Sequence, residues 1–565
     1  MAKQRCSFQL FLLCTVFLYF INVLSLSIVL EDAPFHQDSQ DRVIREYVKY
    51  FARPTVLSPL KKFLDNPTTL FTLAKAAELA VDSYSKKSKR TCRLRGILDL
   101  KELRSNTDYW FHILVLEEDT FLTEAFFEVK IPHPLDNDGK LDFKFHFNEF
   151  KSNERSENDC DQLSKLADCK CGFRGRCDKG TAHISPWLAF ALKTQREIQI
   201  DEPFDQTQMV SAHNAFNDRS DGYGELDDCH WPPPYNHYCL DLANQEFSFT
   251  DLLNMGVRAM EIDPWWCFDK MLMSHNSERA YEGCAPWDRE FEDGIKEIGE
   301  WVHKPENSQE VIRLYFEDGT AHTDGHDALI NGPVAKYLGD RVLTPNDSRK
   351  YFPGRWPTLR ELRKINKTVV IAGFGDQHGG QYIFDRYWEE LTRNDFVASP
   401  NCSGINRDNP SRVFCDSTEY LFFWNGPNET GVILDFSRFM KCGVTYPAAD
   451  QVNPALLETA VFTWARGEPS EPLTQASCVL LDSNTERWHL GNCLEEHLFA
   501  CQSFKNVTDW VTSAVAGHYS KPICPGGYHF SIPHNGFQHQ QLVNAMQGET
   551  VWVNITPYIH LLVWS

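Results

Sequence analysis

The 565-residue chain has no surplus of positive charge: 56 lysines and arginines face 78 aspartates and glutamates, a formal net charge of −22. Gripping a phosphate backbone requires a basic face, so a nucleic-acid partner is not expected. The same charge argues against simple electrostatic adhesion to an anionic membrane. Beyond Leu24 the chain has no apolar run long enough to span a bilayer, and the closing segment Tyr558–Ser565 is too short for a lipid-anchor tail. Nor is there a long tract poor in apolar residues. With 42% hydrophobic and 24% charged residues the composition is globular, and its length allows about three or four folding units. Zinc-finger cysteine spacing is also missing. Cys169-x-Cys171 with Cys177 reads better as disulfide material than as a metal site.

The N-terminus supplies the first positive signal. Lys3 and Arg5 precede the apolar run Phe8–Leu24, and small residues follow at Ser25 and Ser27. That order predicts a secretory signal peptide over residues 1–27 and a secreted, extracellular protein; the alternative is an uncleaved signal anchor that tethers the chain to a membrane. Eighteen cysteines, of which only Cys6 and Cys14 lie in that segment, agree with an oxidising compartment. Sequons begin at Asn346, Asn366, Asn401, Asn428, Asn506 and Asn554, as a glycoprotein would carry.

Periodicity divides the rest. Residues 28–90 read as helical, with apolar residues at helical spacing in Val43–Val48 and Leu70–Ala80. Residues 91–195 read as a cysteine-containing, β-sandwich-like accessory domain, with runs such as Tyr109–Leu116 and Phe126–Ile131. Over 196–455, short apolar strands alternate with helical segments, which predicts an α/β fold of the TIM-type (β/α) barrel. The strand candidates are Met209–Ala212, Val257–Ile262, Met271–Ser274, Val311–Phe316, Thr368–Gly373, Val432–Phe436 and Gly443–Tyr446. Residues 456–565 form a cysteine- and tryptophan-rich β region.

Four strand ends in the barrel region carry polar groups that a packed core would not choose: His213-Asn214, Glu261-Ile-Asp263, His275-Asn276 and Glu317-Asp318. Glu261 and Asp263 are two apart on a strand, so both carboxylates point the same way. Such neighbours repel unless a proton or a cation sits between them. Asn214, Glu261, Asp263 and Glu317 together offer the all-oxygen donor set preferred by a hard divalent cation, with Ca2+ the first choice and Mg2+ the second. Two histidines beside such an ion suit phosphodiester cleavage, one handling the proton of the attacking hydroxyl and the other that of the leaving oxygen. Gly373-Phe-Gly375-Asp376-Gln-His378 lacks the lysine of a phosphate-binding loop and reads as a βα loop in which Asp376 or His378 contacts substrate, or else as a plain glycine-rich turn. Trp265 and Trp266 read as core packing or as a membrane-facing pair. Arg313 reads as an internal cation or as a buried partner of barrel carboxylates.

This series of motifs resembles the X-region barrel of the calcium-dependent phosphatidylinositol phospholipases C and their secreted relatives. Trp356-Pro-Thr-Leu-Arg-Glu-Leu-Arg followed by Thr368–Gly375 is similar to the segment before that family's fifth strand, and the likeness covers roughly 250 of the 565 residues. The resemblance implies His213 and His275 as the catalytic histidines, Glu261 or His213 as proton acceptor, and Asn214, Glu261, Asp263 and Glu317 as metal ligands. Its metal-independent branch carries an arginine in place of the ion and an Asp after the first histidine, where this chain has Asn214. The implied substrate is a phosphatidylinositol-type or glycosylphosphatidylinositol-type lipid at a membrane surface. A long insertion between His213 and Glu261, with Cys229, Trp231-Pro-Pro-Pro and Cys239, departs from the pattern. No basic cluster for phosphorylated inositides is present. Glycerophosphodiesterases and sphingomyelinase D enzymes use a similar His, Glu, Asp, His set, which keeps those activities as alternatives. The tail, with Trp464, Cys478, Trp488, Cys493, Cys501 and Cys524, is similar to a C-type lectin-like fold in swapped order. It is expected to be structural or to bind carbohydrate weakly, and a non-enzymatic adhesion protein on a barrel scaffold is the remaining alternative.

Overall fold

The computed structural model describes residues 67–555 apart from 103–107, 119–120, 131–144, 152–159, 161–163, 173–174, 224–242, 276–283, 318–326, 374–380, 392–401, 403–404, 406, 415–434 and 471–476. All described residues belong to the unit Pro54–Ser565. The expected signal peptide, the Val43–Val48 helix, the Cys229–Cys239 insertion, Asp376 and His378 lie outside them. No described helix is long and apolar enough to cross a membrane.

A helix over Pro67–Ser88 buries Ala76, Ala77, Ala80 and Val81. It packs on an antiparallel meander of β1 (Cys92–Glu102), β2 (Asp108–Glu117), β3 (Phe121–Lys130) and β4 (Phe145–Lys151). Among the described residues this is one sheet, where a sandwich was expected. The small side chains of the helix let it lie close to that sheet, and it takes the place of a second layer of strands. Disulfides Cys160–Cys171 and Cys169–Cys177 then tie the connection to the next helix, Pro186–Ile198.

The central sheet is parallel throughout. It comprises β5 (Ser211–Ala212), β6 (Ala259–Ile262), β9 (Ile312–Phe316), β10 (Val369–Gly373), β11 (Ile383–Asp385), β12 (Glu389–Leu391), β13 (Ser411–Phe414) and β14 (Tyr446–Ala449), while β7 (Pro264–Cys267) and β8 (Lys270–Met273) form a separate antiparallel hairpin. The strand order is β11-β10-β9-β6-β5-β14-β13-β12. Laid flat, eight strands would hold their edges about 34 Å apart at ~4.8 Å per strand. Yet the two edge strands are joined by Arg386, Tyr387 and Trp388 alone, a link that reaches at most about 14 Å. The sheet must therefore curl until its two edge strands come within that reach, giving a barrel-like cylinder whose seam is the short link between β11 and β12. Helices Phe249–Met255, Phe291–Val302, Asp327–Tyr337, Pro345–Tyr351, Leu359–Lys364, Phe436–Lys441 and Pro454–Thr459 connect or follow its strands.

Three strand expectations change. Met271–Ser274 is not a stave of the cylinder, because β8 pairs with β7, and the Cys267–Cys284 disulfide closes that excursion. Of Val432–Phe436, only the last two residues are described, and Phe436 begins a helix capped by Asp435; the stave in that part of the sheet is Ser411–Phe414. The final strand starts at Tyr446 and runs to Ala449, since Gly443 has φ of +91° and ends the preceding helix. Trp265 packs with Cys267, Leu272 and Cys284, and Trp266 against the main core, so both indoles serve packing.

One end of the cylinder is plugged. Arg313 lies over the Tyr446 ring at 3.3 Å and the Phe204 ring at 4.4 Å, and donates to the Tyr387 hydroxyl at 2.8 Å and the Phe204 carbonyl at 3.0 Å. The buried arginine is thus paired with aromatic faces and neutral oxygens, where carboxylate partners were expected.

The C-terminal sheet contains β15 (Ser477–Asp482), β16 (Arg487–Asn492), β17 (Leu498–Ser503), β18 (Trp510–Thr512), β19 (Tyr528–Phe530) and β20 (Val551–Trp552), with a helix over Gly536–Met546. Disulfides Cys478–Cys493 and Cys501–Cys524 staple it, and Cys402–Cys442 staples the end of the cylinder. Trp464 and Trp488 are fully buried and meet edge to face at 5.6 Å. Both belong to the same apolar core as the cylinder, and Trp187 donates to the Ala465 carbonyl across the junction at 2.7 Å.

His539, on the Gly536–Met546 helix, is fully buried against Phe462 with Nε2 on the Glu486 carbonyl at 3.0 Å. Burial first, then the charges of Arg487 and Lys441, push its imidazole down to about 3. A depressed histidine contributes stability that is complete above its unfolded value of about 6.5 and is lost as pH falls through the folded value. Unfolding midpoints measured from pH 7 to pH 3 should therefore show an acid-side loss that His539→Gln flattens, by at most about 5 kcal/mol at ~1.4 kcal/mol per pH unit. An unchanged acid limb in that variant would contradict the assignment.

Candidate active site at the mouth of the parallel sheet

The groups singled out in the sequence converge at the C-terminal ends of the parallel strands, where such sheets place their reactive residues. His213 and Asn214 directly follow β5, Glu261 is the third residue of β6, Asp263 follows that strand, and Glu317 follows β9. His275 arrives differently, two residues after the hairpin strand β8, whose backbone is pinned to the sheet by the Ser274 amide donating to the Asp263 carbonyl at 3.0 Å.

Asn214 has φ of +42°, a conformation that asparagine tolerates better than most residues. This turn aims the Asn214 amide N–H at Glu261 Oε2, 3.3 Å away, and brings its side-chain Nδ2 to 2.6 Å from His275 Nε2. His213 is held from behind: its Nδ1 lies 2.8 Å from Asp450 Oδ1, and its Nε2 faces Glu261 Oε2 at 3.6 Å. A chain of buried hydrogen bonds continues from Asp450 Oδ2 to Asn244 Nδ2 at 3.0 Å and from Asn244 Oδ1 to Asn217 Nδ2 at 3.0 Å. Asn217 Nδ2 in turn lies 3.5 Å from His275 Nδ1. The two imidazoles are thereby fixed by one connected polar network. Phe414 stacks on the His213 ring and Phe216 meets the His275 ring edge-on, which limits rotation of both.

Glu261, Asp263 and Glu317 can place one carboxylate oxygen each within 4.8 Å of one another. The first two are buried, and Glu317 is exposed at the rim. Burial, together with the neighbouring Glu317 and despite Arg412 and His213, raises the Glu261 carboxyl to about 7. Burial and the charges of Glu261 and Glu317 push Asp263 well above the usual carboxylate range. Arg412 supplies the compensating charge: it bonds Glu261 Oε2 directly and Glu390 Oε1 at 3.1 Å, sandwiched between the Tyr315 and Phe414 rings.

That compensation is one-sided. Glu261 Oε1 and Asp263 Oδ1 are buried without a hydrogen-bond partner among the described residues. A buried carboxylate oxygen left unmet is costly, and a divalent cation held by Glu261, Asp263 and Glu317 would meet both atoms with oxygen donors suited to it. The residues present thus fit a divalent metal.

Sequence reasoning placed His213, Asn214, Glu261, Asp263, His275 and Glu317 in one constellation, and the structure brings all six together. Arg412 and Asp450 escaped it, as did Asn217 and Asn244. The signal for Asp450 was an acidic residue directly after an apolar strand, Tyr446–Ala449, hidden by a boundary placed three residues too early.

No protein-family profile matches the chain. An uncharacterized protein of Mycobacterium tuberculosis is 23% identical over 411 residues, covering 66% of this chain and 80% of that protein. Maintenance of telomere capping protein 6 of Yarrowia lipolytica is 25% identical over 288 residues, or 40% of this chain and 42% of the relative. Its counterpart in Meyerozyma guilliermondii is 33% identical over 161 residues, or 21% and 28%. Among solved structures, a calcium-dependent phosphoinositol-specific phospholipase C from Pseudomonas sp. aligns over 45% of this chain and 94% of its own, at 13% identity and a TM-score of 0.27.

Saturating calcium should raise the thermal midpoint of the full chain. At a hundredfold excess over Kd the linkage is about 2.7 kcal/mol, or roughly 2–3 °C for the unit Pro54–Ser565 at ~2.1 cal/mol/K of unfolding entropy per residue. Asp263→Asn removes one of two repelling buried carboxylates, so it should raise the midpoint in chelator while abolishing the calcium increment. An increment of equal size in that variant would exclude Asp263 as a ligand.

Proposed function

We propose that this chain is a metal-assisted phosphodiesterase acting on phosphatidylinositol-type or glycosylphosphatidylinositol-type lipids. The observation that carries this reading is the pairing of two oriented imidazoles, His213 and His275, across a carboxylate trio with unmet buried oxygens. General acid–base cleavage needs one group to accept a proton and one to deliver it, both within reach of the same substrate.

Of the two candidates for the accepting role, His213 is the better placed. Asp450 accepts a hydrogen bond from the His213 Nδ1–H, which leaves Nε2 with a lone pair on the side of the reacting groups, and its negative charge stabilises the imidazolium that forms. Glu261 Oε2 is already engaged by Arg412 and by the Asn214 amide, so Glu261 is assigned to charge placement and metal binding. His213 removes the proton of the inositol 2-hydroxyl, whose oxygen attacks phosphorus; the bond from phosphorus to the glyceride oxygen breaks, and His275 delivers a proton to that oxygen as an imidazolium, a state in which the Asn214 amide turns its oxygen instead of Nδ2 toward Nε2–H. The products are an inositol cyclic phosphate and a diglyceride. A bound divalent cation would lower the hydroxyl's pKa and offset charge on the phosphoryl oxygens. Arg412, buried behind Glu261, offsets part of the carboxylates' negative charge.

The test is turnover by the purified full chain given phosphatidylinositol, a glycerophosphodiester or a lysophospholipid, each with calcium and with chelator. Calcium-dependent inositol cyclic phosphate is the expected result. Glycerol phosphate, or choline release with a cyclic lysophosphatidate, would redirect the reading to the glycerophosphodiesterase or sphingomyelinase D chemistry, and no turnover of any of the three would overturn it. His275→Ala should lower kcat by about 10²–10⁴-fold with an unchanged thermal midpoint. Asp450→Asn should also lower kcat, with little change in KM, because it leaves the His213 ring in place and removes only the charge that orients it.

A further inference from the structure

Four of the six sequons start within the described residues, at Asn346, Asn366, Asn506 and Asn554, and their surroundings differ sharply. Asn346 and Ser348 lie inside the helix Pro345–Tyr351, and the Asn346 side chain accepts from Arg349. Asn366 Oδ1 accepts from Arg341 at 2.7 Å, and its partner hydroxyl, Thr368, is on a fully buried residue just before β10. At Asn554 the nitrogen that would carry a sugar donates to the Phe530 carbonyl at 3.0 Å.

Asn506 differs in that its side-chain bonds come from its own sequon. It opens the turn between β17 and β18, closed by the Asp509 amide on the Asn506 carbonyl at 3.0 Å. Both it and Val507 are exposed. The Thr508 hydroxyl donates to Asn506 Oδ1 at 2.8 Å and the Thr508 amide to the same oxygen at 3.0 Å. The pair of bonds fixes the Asn506 side chain through its Oδ1 alone, so the asparagine and the threonine of the sequon are already held together in one turn. Two residues earlier, Phe504 is 70% exposed. One face of its ring is covered by the His529 imidazole, stacked at 4.7 Å. The other is left to water, an unusual placement for a large aromatic on a well-packed sheet. The Cα atoms of Phe504 and Asn506 can be no more than ~7 Å apart, within the reach of one sugar ring linked to Asn506.

The structure assigns Asn506 as an N-glycosylation site whose first sugar stacks on the open face of Phe504. In the step that builds it, Asn506 Nδ2 attacks the anomeric carbon of a lipid-linked oligosaccharyl diphosphate. The C–N bond forms, the bond from that carbon to the diphosphate oxygen breaks with its electron pair leaving on the diphosphate, and one amide proton passes to the transferase's base. The assignment is independent of the proposed phosphodiesterase activity, because the turn lies on the C-terminal sheet and uses none of the pocket residues.

The full chain, secreted from a eukaryotic host, tests it by peptide mapping after enzymatic sugar release in heavy-oxygen water. The expected result is conversion of Asn506 to Asp with incorporated label, none at Asn346 or Asn366, and loss of the Asn506 signal in Thr508→Ala. Sugar release should lower the thermal midpoint of the native protein, and that drop should disappear in Phe504→Ala, a surface change that the fold tolerates. An unmodified Asn506 would overturn the assignment, as would equal occupancy at Asn366; a midpoint drop that survives Phe504→Ala would overturn the stacking.

Discussion

The arrangement depends on one electrostatic constraint: Glu261 and Asp263 are buried side by side at the mouth of an apolar cylinder, with more negative oxygen than the protein itself neutralises. The isolated cost of burying a carboxylate is several kcal/mol even after relaxation. Arg412 offsets it on one flank of Glu261, and the Asn214 amide and His213 crowd the same oxygen. The opposite flank, facing Asp263 and Glu317, is left for a cation. Stability alone would favour apolar residues at these positions, so retaining the carboxylates points to chemistry.

The scaffold keeps that imbalance local. At the far end of the cylinder the buried cation Arg313 is enclosed by Tyr446, Phe204 and Tyr387. Between the two ends, Tyr315, Trp388 and Tyr446 fill the interior as a layer of mutually perpendicular rings. Charge is therefore concentrated toward the two ends, with Arg313 and Arg412 lying against the rings between them. The aromatic layer also fixes the seam, because Tyr387 and Trp388 belong to the three-residue link that draws the two edges of the sheet together.

How much of this was legible in the sequence follows from how far each signal reaches along the chain. Glu261 and Asp263 stood out because period-two spacing on an apolar strand is visible within six residues. His213, His275 and Glu317 stood out as polar ends to apolar runs. Asp450 and Arg412 did not, since each acquires meaning only from a partner: Asp450 from His213, 237 residues away, and Arg412 from Glu261, 151 residues away. The strands β11 and β12 are three residues each, too short to show an alternation, so the seam was invisible. Met271–Met273 carried a true strand signal, but nothing local distinguishes a hairpin strand from a barrel stave.

The proposed chemistry requires one divalent ion among Glu261, Asp263 and Glu317, within reach of both imidazoles. A crystal structure of the full chain grown with calcium, with anomalous differences collected, tests it most directly. The expected result is a peak within about 2.3–2.6 Å of carboxylate oxygens from all three residues. A structure at saturating calcium with no peak there, and with the unmet oxygens of Glu261 and Asp263 bridged by a protein cation, would contradict it.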